Sequence, residues 1–467
     1  MKFEQRHIVV FVLSLVLTAC ASLTAGNLFS HYSAQNARLH QSLKQGNYQQ
    51  AQQALPSYVA GDILDNFEKG RVYFLQQQFA QSRAALSVAD GAVRTQQQQA
   101  MISLSASATS TAALAVNDNL QEYTPADYEL GFLHLYLGLN YFQDQQLESA
   151  LVEMRRANQV QEQARRTRQR QLERAQQQLT NSGVTPNLGS VLAQYPDAGE
   201  TLQAVQNGYL LFVSALLYEA ADELNSAYVD YRRALAVAPE NLAVIEGTMR
   251  VAKRLGMRDH LAQLTQRYGE LTPLEAHQAR VIMIEERDVV DSRQSWSLTL
   301  PITDRSGRSV LYSLALPYYP STPSRDFLPV VLNQQTVVNH LLADVNLMAR
   351  HDLKERMPNM VIRQALRVIA KDQLRKEATS NEGLGGVLLN VFNTLTEQPD
   401  TRSWLTLPAS VYATTLQVKP GEQTLVVDGL HYQFKVSNGE TLLVWLSRQG
   451  GQVSHWHQSL GAVDLSN

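Results

Sequence analysis

Few residues in this chain combine a reactive side chain with a spacing that chemistry could use. His340 and Asp344 lie four apart on a predicted helix, with His351 two turns beyond Asp344. Such a face can ligate a metal, but no spacing supplies a further donor, so no metal site is assigned. His455 and His457 fall on one side of a predicted strand, and two histidines alone do not make a site. Gly383, Gly385 and Gly386 precede an apolar helix. A dinucleotide-binding turn needs a strand before it and an acidic residue after it. Here a helix precedes, and the stretch reads as a loop and helix start. A phosphate loop, a zincin histidine pair and a nucleophile elbow are all absent from the sequence. No catalytic residue and no cofactor are assigned, and the chain reads as a non-enzyme.

Charge offers two further candidates. Arg165, Arg166, Arg168, Arg170 and Arg174 make one long predicted helix basic. That is either a solvated face or a contact for an acidic partner. Arg363 and Arg367 share one side of another helix, with Asp344 and Glu355 upstream. They form either an ion-pair network or an anion site.

The single cysteine is Cys20, in the stretch Leu17-Thr18-Ala19-Cys20. Lys2, Arg6 and His7 come first, followed by an apolar run from Ile8 to Val16. That run is shorter than the roughly 20 residues of a membrane-spanning helix and has the size of a signal-peptide core. The cysteine position after such a core resembles the bacterial lipobox. The resemblance implies cleavage before Cys20, diacylation of its thiol and membrane attachment through that lipid. Ala21 follows where an aspartate would resemble the inner-membrane retention signal, which favours the outer membrane.

At 467 residues the chain is too long for one ordinary core. Hydrophobic residues make up 44%, which argues for globular structure. The 40 basic and 43 acidic residues nearly cancel, so nothing global points to nucleic acid.

The positioning elements come from spacing. Gly138, Tyr141, Ala150, Met154 and Ala157 predict a helix, a turn and a second helix, with small residues where the helices touch. Gly70, Tyr73, Ser82, Leu86 and Ala89 repeat the pattern, as do Ala215, Tyr218, Ala227, Tyr231, Ala234 and Pro239. Gly46, Tyr48, Ala51 and Leu55 suggest an earlier hairpin, and 241–268 a weaker last one. A further degenerate repeat is expected within 91–127. The pattern resembles the tetratricopeptide repeat, which stacks into a solenoid. The resemblance implies a concave ligand groove lined by the first helix of each hairpin. Its polar and aromatic positions would be Glu68, Arg71 and Tyr73, then Tyr136 and Asn140, then Tyr218.

Near residue 278 the period changes to short runs rich in β-branched and aromatic residues. About seven strands with short turns suggest a β-sandwich. Three helices are expected between the strand groups, the first ended by Pro358. The expected organisation is a multidomain α+β chain. It comprises a signal peptide at 1–19, a tether at 20–35, a tetratricopeptide-like domain at 36–275, a β-rich domain at 278–335 and 400–467, and a helical insertion at 336–399.

Stretches such as DYELGFLHLYLGLNYF, ALVEMRRAN, ADVNLMARHDLKERMPNMVIRQALR and EQPDTRSWLTLP resemble poorly characterised outer-membrane lipoproteins of Gram-negative bacteria. Genes of that family often neighbour one for a lipoprotein activating a penicillin-binding protein. The resemblance implies a periplasm-facing scaffold that binds protein or peptide partners in envelope or peptidoglycan assembly. The alternative is an envelope enzyme or glycan-binding protein with its site near Asp344, Arg363 and Arg367.

Overall fold

The structure is a computed structural model. It describes residues 31–56, 60–105, 122–182, 185–186, 202–275, 277–303, 309–323, 325–378 and 399–462. Cys20, the 20–30 part of the tether and the GLGG stretch lie outside these. The helical half is built of antiparallel hairpins: α1 (Ala37–Lys44) with α2 (Tyr48–Gln53), and α3 (Asp62–Leu75) with α4 (Phe79–Ser105). Then come α5 (Asp127–Gln143) with α6 (Leu147–Ser182), α7 (Gly208–Ala220) with α8 (Leu224–Val237), and α9 (Leu242–Arg254) with α10 (Arg258–Tyr268).

Small residues set the helix spacing. A Cβ on Gly70 would lie 2.4 Å from Leu86, and one on Gly138 2.3 Å from Met154. The Ser82 hydroxyl donates to the Gly70 carbonyl at 2.8 Å, crossing the same contact. Asparagine caps recur where a helix must start sharply. Asn47, Asn207 and Asn241 each accept a backbone N–H three residues on, at 3.0, 3.1 and 3.2 Å. The start of α5 relies instead on Glu129, whose carboxylate accepts the Ala126 N–H at 2.8 Å.

The expected extra repeat in 91–127 is not formed by residues 91–105, which continue α4. Residues 106–121 lie outside the described set. The α3/α4 hairpin meets α5/α6 directly, through Asn140 to Ser82 at 2.9 Å and Arg156 to Asp90 at 2.6 Å.

Past residue 278 the strands are β1 (Ala279–Arg287), β2 (Gln294–Thr303), β3 (Ser309–Tyr318), β4 (His340–Asp344) and β5 (Ser410–Val418). They continue with β6 (Gly421–Val427), β7 (Leu430–Val436), β8 (Glu440–Gln449) and β9 (Gln452–Ala462). A five-stranded sheet has the order β9-β8-β1-β5-β4, with β8 and β1 parallel. One face packs Val281, Met283, Val444 and Leu446 against Leu425, Val427, Phe434 and Val436 of a second sheet containing β6 and β7. The other face, with Ile282, Ile284, Leu443 and Trp445, joins the core of the helical hairpins. One apolar core therefore runs through both halves of the chain.

Two expectations change here. His340 and Asp344 sit on strand β4, paired with β5, and not on a helix. The following helix α11 (Val345–Ala378) runs through Pro358 without stopping. Proline forfeits one helical hydrogen bond, but Met357, Val361, Ile362 and Ala365 are all fully buried around it and hold the helix in place.

Candidate functional site

Strand β1 carries adjacent glutamates, and alternation sends them to opposite faces. Glu285 points away from the hairpins, where Arg448 donates to it at 2.6 Å and also bonds Asp428. Glu286 points into the helical half and is fully buried. Successive inner helices converge on it. Arg71 of α3 pairs with its Oε2. Tyr136 of α5 and Tyr209 of α7 donate to Oε1 at 3.0 and 3.1 Å. Ser447 of β8 donates to Oε2 at 3.0 Å. The Arg71 guanidinium is 4.7 Å from the Tyr136 ring centroid, and its Nε donates to the Thr406 carbonyl at 3.3 Å. Burial opposes the charge on Arg71, and Glu286 more than offsets it, so the group stays cationic. Burial pushes the hydroxyls of Tyr136 and Tyr209 well up, aided by Glu286, which keeps them protonated donors.

The segment 401–407 packs beside the same cluster, against α3 and α5. Leu405 N–H donates to Glu68 of α3 at 2.8 Å, and Trp404 N–H to Glu129 of α5 at 2.7 Å. The Trp404 indole stacks on Phe67 with centroids 4.3 Å apart, and its Nε1 donates to Thr406 at 2.9 Å. Burial pushes the Glu68 carboxyl up to about 8, and Glu129 also rises through burial. The inner helices thus present hydrogen-bonding groups to a segment that turns at Leu405–Thr406, and the segment is this chain's own.

This corrects the reading of the groove residues as a face open to a partner. Glu68, Arg71, Tyr136 and Asn140 are fully buried within the chain. Tyr218 is also buried, under the Arg155 guanidinium at 5.7 Å. Tyr73 alone of the set is half-buried. On the basic arm, Arg166 and Arg170 are exposed, while the side chain of Arg165 lies outside the described residues. The arm does not project unsupported, because Leu172 and Ala175 pack on Ile362 and Leu366 of α11.

Asp344, Arg363 and Arg367 are not brought together as one site. Asp344 caps α11, accepting Leu347 N–H at 2.9 Å. Arg363 lies about 28 Å further along at the helical rise per residue. Arg367 is buried. Among the described residues no group of three His, Cys, Asp or Glu is placed to hold a metal ion. His455 and His457 both pack against Tyr432, whose hydroxyl bonds His457 Nδ1.

Sequence reasoning missed Glu286 and Trp404. Two adjacent glutamates in an apolar strand, RVIMIEER, were the available signal, since buried carboxylates need built partners. Comparison of the chain with family models, with curated proteins and with solved structures finds no match.

Proposed function

We propose that this protein is a lipid-anchored scaffold of the Gram-negative envelope, held to the outer membrane through Cys20 and facing the periplasm. In this reading the hairpins are a tetratricopeptide-type stack and the paired sheets a β-sandwich, and the protein binds protein partners in peptidoglycan or envelope assembly. The leader sequence supports the anchor, and the spacing of small residues supports the repeat type. The observation that carries the scaffold reading is the packing of residues 401–407 against α3 and α5. With that face covered, partner contact falls to the outer helices, where Val88, Val152 and Val229 are exposed, and to the basic arm. Arg166 and Arg170 on that arm suit an acidic protein surface.

The test is site-specific photo-crosslinking in intact cells at Val152, Val229, Arg166 and Arg170, with Tyr136 as the buried comparison. The scaffold reading expects a defined envelope protein at outer positions, absent at Tyr136 and lost in Cys20→Ser. Adducts only to glycan or lipid at every position would overturn it. A second reading, ligand binding where the last hairpins meet the sheet, is favoured by one observation, a cationic cavity.

A further inference from the structure

A cavity of about 220 Å³ lies between α7, α9, the segment 271–274, the start of β1 and the end of β9. Its wall holds four basic side chains, Arg250, Lys253, Arg254 and Arg280, and two acidic ones, Glu219 and Glu246. The carboxylate of Glu219 is already committed. Arg250 engages it through two bonds, at 2.6 and 2.8 Å, and Tyr231 donates to it at 2.8 Å. Arg254 pairs with Asp222 at 2.7 Å and lies 3.9 Å from Glu219. Glu246 is pushed towards its neutral form by burial, although Arg250 and Arg280 oppose this.

Arg280 is the exception among these cations. Its side chain makes no hydrogen bond and no ion pair among the described residues, yet it is partly withdrawn from water, and Glu219 and Glu246 act on it through their charge alone. Burial, with Arg250 beside it, pushes its guanidinium down to about 10. It stays charged at neutral pH, so the cavity wall carries a guanidinium whose donors bond no protein acceptor among the described residues. A partly buried charge is costly unless paired, and a planar fork of N–H donors matches a planar oxyanion. Much of the remaining lining is apolar, including Leu216, Leu271, Leu274, Ile282 and Leu460, with Thr272 and Thr441 beside them.

We propose that this cavity binds a small organic anion, its carboxylate or phosphate head on Arg280 and a short apolar stem against the leucines. The volume equals that of about seven liquid waters, which limits the ligand to a small group or the end of a larger one. The position gives binding a structural consequence. The site bridges the last hairpins and one end of the sheet, where Arg280, Thr441 and Gly461 are register partners, so a bound anion ties α9 to β1. The inference is independent of the scaffold reading and survives its failure.

The test uses the full purified chain with hexanoate, hexyl phosphate and inorganic phosphate as probes, read by calorimetry and thermal melting. The expected result is saturable binding of hexanoate or hexyl phosphate, tighter than inorganic phosphate. Binding should weaken about tenfold or more in Arg280→Met, consistent with a lost charge-assisted contact. Because the Arg280 side chain makes no hydrogen bond or ion pair among the described residues and only feels the charges of Glu219 and Glu246, Arg280→Met should melt close to the parent, which keeps a loss of binding interpretable. Leu274→Trp should also block binding by filling the cavity. A preference for hexanoate over hexyl phosphate identifies a carboxylate ligand, and the reverse identifies a phosphate ester. Inorganic phosphate binding as tightly as the organic anions overturns the apolar-stem assignment. Absence of binding by all three, or equal binding by Arg280→Met, overturns the site.

Discussion

Replacing Arg71 by methionine leaves the Glu286 carboxylate buried without its cation. Both partners are fully buried in the folded chain. Removing one member of such a pair typically costs about 3–5 kcal/mol, because the other charge stays desolvated. The cation–π contact with Tyr136 at 4.7 Å is lost as well, which adds about 1 kcal/mol. Three hydroxyls, from Tyr136, Tyr209 and Ser447, still solvate Glu286, which moderates the loss. The expected net effect is about 4 kcal/mol. Urea unfolding followed by tryptophan fluorescence and far-ultraviolet circular dichroism reads it directly, since Trp445 lies 5.8 Å from the guanidinium. Adding Glu286→Gln to Arg71→Met removes the stranded charge and should restore about 2 kcal/mol. A loss below about 1 kcal/mol, or strict additivity in the double variant, would refute the claim that this pair locks the two halves.

Three more outcomes follow from particular contacts. Glu68 has a folded pKa of about 8 against an ordinary 4.5. Its contribution to stability is therefore full below about pH 4.5 and is lost as pH rises through 8; about 5 kcal/mol is at stake. In Glu68→Gln that part of the pH dependence should vanish from urea titrations run between pH 5 and 8.5. Gly450 sits at φ +58, and a Cβ there would lie 2.3 Å from the Gln45 carbonyl oxygen. Gly450→Ala should cost at least about 2 kcal/mol in the same assay, while Gly451→Ala, with open space around it, should stay within about 0.5 kcal/mol. Metabolic labelling with palmitate should mark the parent protein and not Cys20→Ser, which should also leave the membrane fraction.

The hairpins were legible because their signal is local. Gly70 with Leu86 and Gly138 with Met154 are pairs 16 residues apart in sequence, and they are the close contacts found. The groove was misread for the opposite reason. Glu68 and Arg71 look like ligand-facing polar residues on an inner helix, and nothing near them in sequence neutralises them. Their partners, Leu405 and Glu286, lie 337 and 215 residues away, a distance at which spacing carries no information. The change at His340–Asp344 has a different cause. A five-residue stretch, HLLAD, is too short for helical and strand periods to separate, and pairing with β5 decided it. At Pro358 the local rule lost to burial, because apolar residues on both sides of the proline share one core.

Residues 401–407 pack against the first helices of two hairpins, α3 and α5. Hydrogen–deuterium exchange of the intact protein tests this most directly, through peptides covering 399–409. Trp404 and Leu405, both fully buried, donate their N–H groups to Glu129 and Glu68 at 2.7 and 2.8 Å. The account predicts protection of these amides comparable to strand β1. Exchange on the timescale of an open surface loop would contradict it, and would return this face to the list of partner-binding faces.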